Sequence, residues 1–254
     1  MRYVLLGLLL VVSLSRQHHA LAQEQERVTD EQLWGDLYGH YYISDKLEFY
    51  GDVGLRLLLE DPSWTQFYIR PSVRYHYRPI LEFHGGLGLA LTNNADVQSD
   101  KLEIRPFQGV KVGWPTLGGL RLVHYVRLEE RLFFFTDEAW AHDFQLRFRY
   151  RLSTKIPLRR LSQERKWFIA LSGEGFGEVG PDVEERFSNR TRFSVGLGHA
   201  VNETWAVGFH VVLQQSRTGK DAVFETTDYL FQLKLRRFVA RRDYRDARRG
   251  LEEQ

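Results

Sequence analysis

The side chains of this sequence with chemical potential are arginines and glutamates set at alternate positions. Arg147, Arg149 and Arg151 take every second place in the run His142-Asp143-Phe144-Gln145-Leu146-Arg147-Phe148-Arg149-Tyr150-Arg151-Leu152. Phe144, Leu146, Phe148 and Tyr150 fill the places between. A period of two puts charge on one face of a β-strand and apolar groups on the other. The same parity brings Arg70, Arg74, Arg105, Arg127, Glu129, Arg131, Glu174, Arg190 and Arg192 onto the polar face, with Glu48, Asp52, Arg56, Glu82 and Glu103. Arginine's planar fork grips carboxylates bidentately, so such a face can fill itself with ion pairs. Arginines outnumber carboxylates on it, which also suits a narrow anion-favouring conduit.

Catalytic and metal-binding patterns are thin. A lipid hydrolase needs a serine or carboxylate beside a histidine. His76 and His84 flank the tight turn Arg78-Pro79, His199 lies near Val201-Asn202, and His124 and His142 fall on the apolar face. His210 shares a face with Ser216, but the strand between them separates the two by roughly 20 Å at about 3.3 Å per residue. No G-x-S-x-G is present, and no two histidines stand at i, i+2 on one strand. The chain has no cysteine, which removes disulfides and thiolate metal sites. Gly85-Gly86-Leu87-Gly88 lies in a strand with no helix after it, so it is not a phosphate loop. These residues predict no catalytic site, no metal and no cofactor.

The elements that must carry the charged rows are long strands. Eleven runs can be read, at about 33–43, 47–59, 65–77, 80–92, 101–113, 119–134, 139–153, 166–176, 185–199, 203–216 and 223–236. Strands of soluble proteins average about 5–6 residues, whereas a transmembrane β-strand needs roughly 9–11. Ser44-Asp45-Lys46, Arg78-Pro79 and Val201-Asn202 are tight turns. The stretches Asn93 to Asp100, Gly177 to Glu184 and Arg217 to Ala222 are longer and polar. Short turns alternating with longer loops predict an all-β fold, an antiparallel up-and-down transmembrane β-barrel. Single-chain bacterial barrels have an even number of strands, so the expectation is roughly 10–12 strands with twelve favoured. His124 and Glu130 on the apolar face predict a bulge, or an exit from the membrane near Glu130.

The ends frame the barrel. Arg2, the apolar stretch Tyr3 to Leu14 and Ala20-Leu21-Ala22 read as a signal peptide over residues 1–22. Residues 23–32 then form a short N-terminal segment, 33–236 the barrel and 237–254 a charged periplasmic tail. Seven arginines lie between Arg236 and Arg249, but they offer no aromatic–basic interleaving on an exposed platform of the kind that binds single strands, so no nucleic-acid partner is expected. No other stretch is long and apolar enough for a transmembrane helix. Trp34, Trp64, Trp114, Trp140, Trp167 and Trp205 fall at or beside strand ends, where indoles form the interfacial girdles of membrane barrels.

Five blocks in order carry a family resemblance. They are Trp34…Tyr42-Ile43-Ser44-Asp45-Lys46-Leu47…Gly54-Leu55-Arg56, then Ile69-Arg70-Pro71-Ser72-Val73-Arg74-Tyr75, Arg127-Leu128-Glu129-Glu130-Arg131, Arg147-Phe148-Arg149-Tyr150-Arg151-Leu152 and Gly173-Glu174-Gly175-Phe176. Together they resemble the bacterial family known as domain of unknown function 2490, over about residues 34–236. Gly173 stands where that family usually has Asn, and the basic tail is additional. The resemblance implies an outer-membrane barrel and no particular activity. The expectation is therefore a protein of the cell outer membrane whose lumen is charge-lined and mostly filled. Its partners would be outer-membrane lipids and, during insertion, the barrel-assembly machinery. An anion-favouring channel, a lipid-modifying enzyme and a soluble periplasmic β-protein are the alternatives.

Overall fold

The computed structural model describes residues 30–61, 63–94, 99–114, 120–135, 141–158, 166–180, 191–216 and 226–240. The stretch read as a signal peptide, Trp140, Arg190 and the tail after residue 240 lie outside the described residues. Alternating sequence becomes strand throughout. The strands are β1 (Glu31–Tyr42), β2 (Leu47–Leu58), β3 (Trp64–Arg78), β4 (Leu81–Asn94), β5 (Ser99–Gly113), β6 (Val123–Phe135), β7 (Ala141–Pro157), β8 (Trp167–Val179), β9 (Thr191–Ala200), β10 (Trp205–Ser216) and β11 (Thr226–Ala240). β1 takes in Glu31 and Gln32 from the expected N-terminal segment. β11 runs on to Ala240, into the expected tail.

The strands close into one barrel in the order β1-β11-β10-β9-β8-β7-β6-β5-β4-β3-β2. Every sequential pair is antiparallel, but β1 and β11 pair in parallel, with Glu31 opposite Tyr229 and Tyr42 opposite Ala240. This corrects two expectations. The described residues form eleven strands, not the favoured twelve, and the barrel is not antiparallel throughout. The two corrections are one fact. In an up-and-down meander with an odd count, the first and last strands run the same way and can close only in parallel. Side chains staple this seam: Gln32 Nε2 donates to Asp228 at 3.2 Å, and Gln232 Nε2 donates to Asp36.

Two mouths result. The connections after β1, β3 and β9 are short and lie at one end, the turn mouth. The connections after β4, β8 and β10 lie at the other, the loop mouth. The register shifts between His76 and Arg78, next to the two-residue Pro79-Ile80 turn. No bulge occurs at Glu130. β6 pairs with β7 in unbroken register past it, and its carboxylate takes a 3.4 Å bond from Gln108 on the outer face.

Burial is inverted relative to a water-soluble domain. Phe49, Phe67, Leu91, Phe148, Phe193 and Phe209 lie on the outside and are among the many exposed large apolar side chains. Inside, more polar and charged side chains are buried than apolar ones. Arg131, Glu129, Glu48, Gln32 and Gln214 are each less than 2% exposed. Fully buried Arg and Glu are tolerated only when paired, so the register of the strands decides whether this interior can exist.

Candidate functional site

Side chains from all eleven strands converge on the barrel interior, from Trp34 of β1 to Gln232 of β11. Toward the loop mouth the charges are matched. Glu129 lies among three guanidinium groups. Arg147 donates to it from Nε at 2.7 Å, Arg127 touches its other oxygen, and Arg105 is 3.6 Å away. Glu103 takes Arg131 Nε at 2.6 Å and both Nε and Nη2 of Arg105, at 2.6 and 2.5 Å. Arg131 also donates to Gln145 Oε1 at 2.7 Å, and Glu178 stands 3.7 Å from it. Amides complete this half: Arg56 donates to Gln66 at 2.8 Å, Gln66 to Thr92 at 2.7 Å, and Gln214 to Asp228 at 2.8 Å. A cavity of about 20 Å³ lies beside Gln66, Gly88 and Glu103.

At the waist, Asp52 pairs with Arg70, and Glu174 takes Arg149 Nη2 at 2.8 Å on both oxygens, with Arg151 3.6 Å away. Arg192 reaches Gln214 Oε1 at 2.5 Å. The cavity here is about 170 Å³. At the turn mouth it widens to about 580 Å³. There Glu48 receives His40 at 2.6 Å and His76 at 3.0 Å, with Arg74 at 3.5 Å, and Glu82 receives Lys111 at 2.9 Å and His76 at 3.3 Å. The structure thus places Arg70, Arg74, Arg105, Arg127, Glu129, Arg131, Arg147, Arg149, Arg151, Glu174 and Arg192 on the interior face. Arg190 lies outside the described residues.

The tryptophans divide. Trp114, Trp167 and Trp205 lie at strand ends of the turn mouth on the outward face. Trp114 is 55% exposed, Trp167 lies 4.3 Å from the His199 ring, and Arg237 lies 4.7 Å over Trp205. Trp64 begins β3 on the face it shares with Gln66 and Tyr68. Trp34 is a correction: it is buried inside the barrel, with Arg56 4.1 Å over its ring and its Nε1 donating to Gln32 at 2.9 Å. Its parity with Gln32 and Asp36, opposite to Leu33 and Leu37, carried that assignment. Nearness to a strand end did not. Trp140 lies outside the described residues.

Cross-strand register also makes contacts that reading along single strands misses. Ser194 Oγ lies 3.2 Å from His210 Nδ1, although the sequence offered only the distant Ser216. Both residues occupy inward, even-numbered places on neighbouring strands, so parity plus register would have found the pair. No carboxylate is hydrogen-bonded to the other ring nitrogen, as a nucleophile–base–orienter triad requires. A second pair is structural. Ser72 donates its proton to the Tyr50 carbonyl at 2.8 Å, so His84 Nε2 must donate to Ser72 at 2.9 Å, and Nδ1 accepts from Tyr125 at 2.7 Å. A serine whose proton is committed to a carbonyl is not activated by that histidine. Among the described residues no three His, Asp or Glu side chains converge where an ion could sit.

No curated protein matches the chain. The profile of the family described as "Protein of unknown function (DUF2490)" matches residues 31–224, from the first residue of β1 into the β10–β11 connection. With three quarters of its length under that match, the chain belongs to the DUF2490 family of proteins of unknown function.

Proposed function

We propose that the protein is an integral β-barrel of the outer membrane whose interior is closed by its own ion pairs. One observation carries this reading: the inversion of burial around the whole wall. An apolar outer surface that extends over all eleven strands far exceeds the few hundred Å² that soluble monomers leave exposed, and an outward apolar face with a polar interior is the pattern of outer-membrane barrels. Outward Trp114, Trp167 and Trp205 at one mouth fit an interfacial belt. Closure of the sheet satisfies every strand edge, as lipid requires. The outer membrane, its lipids and the assembly machinery are the partners this reading assigns, and it assigns no catalytic residue.

The ion pairs toward the loop mouth favour a plugged barrel over a conduit. Arg105, Arg131 and Arg147 bridge to Glu103 and Glu129 across neighbouring strands there. Fractionation with an alkaline carbonate wash tests insertion: the protein stays with the membrane, and its release overturns the proposal. Planar-bilayer recording of purified protein tests closure. No steady current is expected, and a steady anion-selective current replaces the plugged barrel with a channel. Phospholipid turnover that is lost in His210→Ala would make the protein an enzyme.

A further inference from the structure

We infer that the turn mouth is a binding site for a soluble, polyvalent oxyanion of the phosphate type. The inference goes beyond membrane insertion and stands on the barrel interior alone. Its first support is space. At about 580 Å³ the mouth lies within the 300–1,000 Å³ range of small-molecule sites. Two small inward residues of β8, Ala170 and Ser172, line this space. On β9, Gly196 and Gly198 make room for neighbouring rings. A Cβ on Gly196 would run into the His210 ring, and one on Gly198 into the Phe168 ring.

The second support is cationic charge in excess of carboxylates. Arg151, Lys234 and Arg236 line one side of the mouth, with the His210 ring between strands there. Among the described residues, two inward carboxylates stand near them: Glu174, whose oxygens Arg149 holds at 2.8 Å with Arg151 3.6 Å away, and Asp36, which lies opposite Lys234 across the seam and takes Gln232 and the Tyr38 and Tyr68 hydroxyls. No carboxylate among the described residues pairs with Lys234 or Arg236. Arg236 Nη1, Arg151 Nε and His210 Nε2 are buried without a hydrogen-bond partner, and His210 is only 4% exposed. Buried donors are otherwise almost always satisfied, and leaving them bare costs free energy. Glu48 and Glu82 neutralise the opposite side through Arg74, His76 and Lys111, so Lys234 and Arg236, the cations without a carboxylate pair, lie together on one side. Guanidinium and ammonium groups arranged around a shared space are the donors that phosphate oxygens select. The continuous wall gives a lipid in the bilayer plane no lateral entry, so the ligand arrives from solution through the mouth.

Isothermal titration of the purified full-length protein in detergent with pyrophosphate, at matched ionic strength against sodium chloride, tests the inference. Saturable binding of one pyrophosphate per chain is expected. The double variant Lys234→Gln/Arg236→Gln should weaken it by about tenfold or more, which is 1.4 kcal/mol or more. The swapped variant Lys234→Arg/Arg236→Lys keeps the charge and should keep binding, which guards against a misfolded double variant. Lys46→Gln, in the exposed turn at the same mouth, should leave binding unchanged. Absence of saturable binding overturns the site. So does an equal loss in Lys46→Gln, which would mean only the general field of the mouth. Repetition in vesicles with and without anionic phospholipid separates the sources: unchanged pyrophosphate binding supports a soluble ligand, and its abolition by anionic lipid identifies a headgroup instead.

Discussion

Glu129 and Lys234 sit inside the same barrel in opposite circumstances. The glutamate is wholly buried among Arg105, Arg127 and Arg147, in a half where acids, bases and amides close on one another. The lysine lies where the cavity opens to about 580 Å³ and no carboxylate pairs with it. One half uses charge as mortar; the other leaves charge available. Buried ions are maintained by partners, so the lesson is that the two halves are under different constraints. The loop-mouth half answers to stability, and the turn-mouth half answers to whatever enters it.

Substitutions can break or sharpen this contrast. Glu129→Gln should have the largest effect, since it removes the carboxylate from Arg127 and takes a partner from Arg105 and Arg147. A loss of about 3–5 kcal/mol is expected in urea unfolding of the detergent-solubilised protein, and a loss below about 1 kcal/mol would mean that the half is hydrated and not closed. Phe148→Arg moves the test to the outer wall, where a mid-strand charge should cost about 2–4 kcal/mol in lipid bilayers. No cost in bilayers would contradict the membrane reading while leaving the interior contrast intact. Gln32→Ala removes one of the two amides on Asp228 at the seam and should cost about 1–3 kcal/mol, measured by the same unfolding curves. Lys234→Met should have the smallest effect and the opposite sign. Replacing a desolvated, unpaired cation by an apolar chain of similar length should be neutral or stabilising by about 1 kcal/mol. Clear destabilisation there would show that Lys234 is part of the mortar after all.

Much of the fold was legible because a two-residue period leaves little room for error. His142 to Leu152 assigns both the strand and its faces, and all eleven runs became strands. What escaped was everything that depends on register. Glu129 cannot be matched to Arg147 until β6 and β7 are aligned, and the Ser194–His210 contact needs β9 against β10. The preference for twelve strands missed for another reason. Evenness is a regularity of a class and not a force on this chain, whereas the seam is held by local bonds from Gln32 and Gln232. Trp34 shows the same rule at the scale of one residue. Its nearness to a strand end pointed to an interface, but its parity with Gln32 and Asp36 placed it inside. Glu130 escaped too, because an outward carboxylate can be accommodated by a neighbour, Gln108, that lies on another strand.

The parallel seam has a consequence for how the barrel comes into being. Gln32 and Asp228, which meet across it, are 196 residues apart in the chain. Every hairpin between them can form from near neighbours, but this contact requires all of them to be in place, and contacts so distant form slowly. Until β11 reaches β1, both strands present unpaired backbone, the usual template for pairing with another chain. A chain that stops short of β11 never escapes that state. Its two bare edges would find each other only on separate molecules, so truncation should produce strand-paired aggregates and not a smaller barrel.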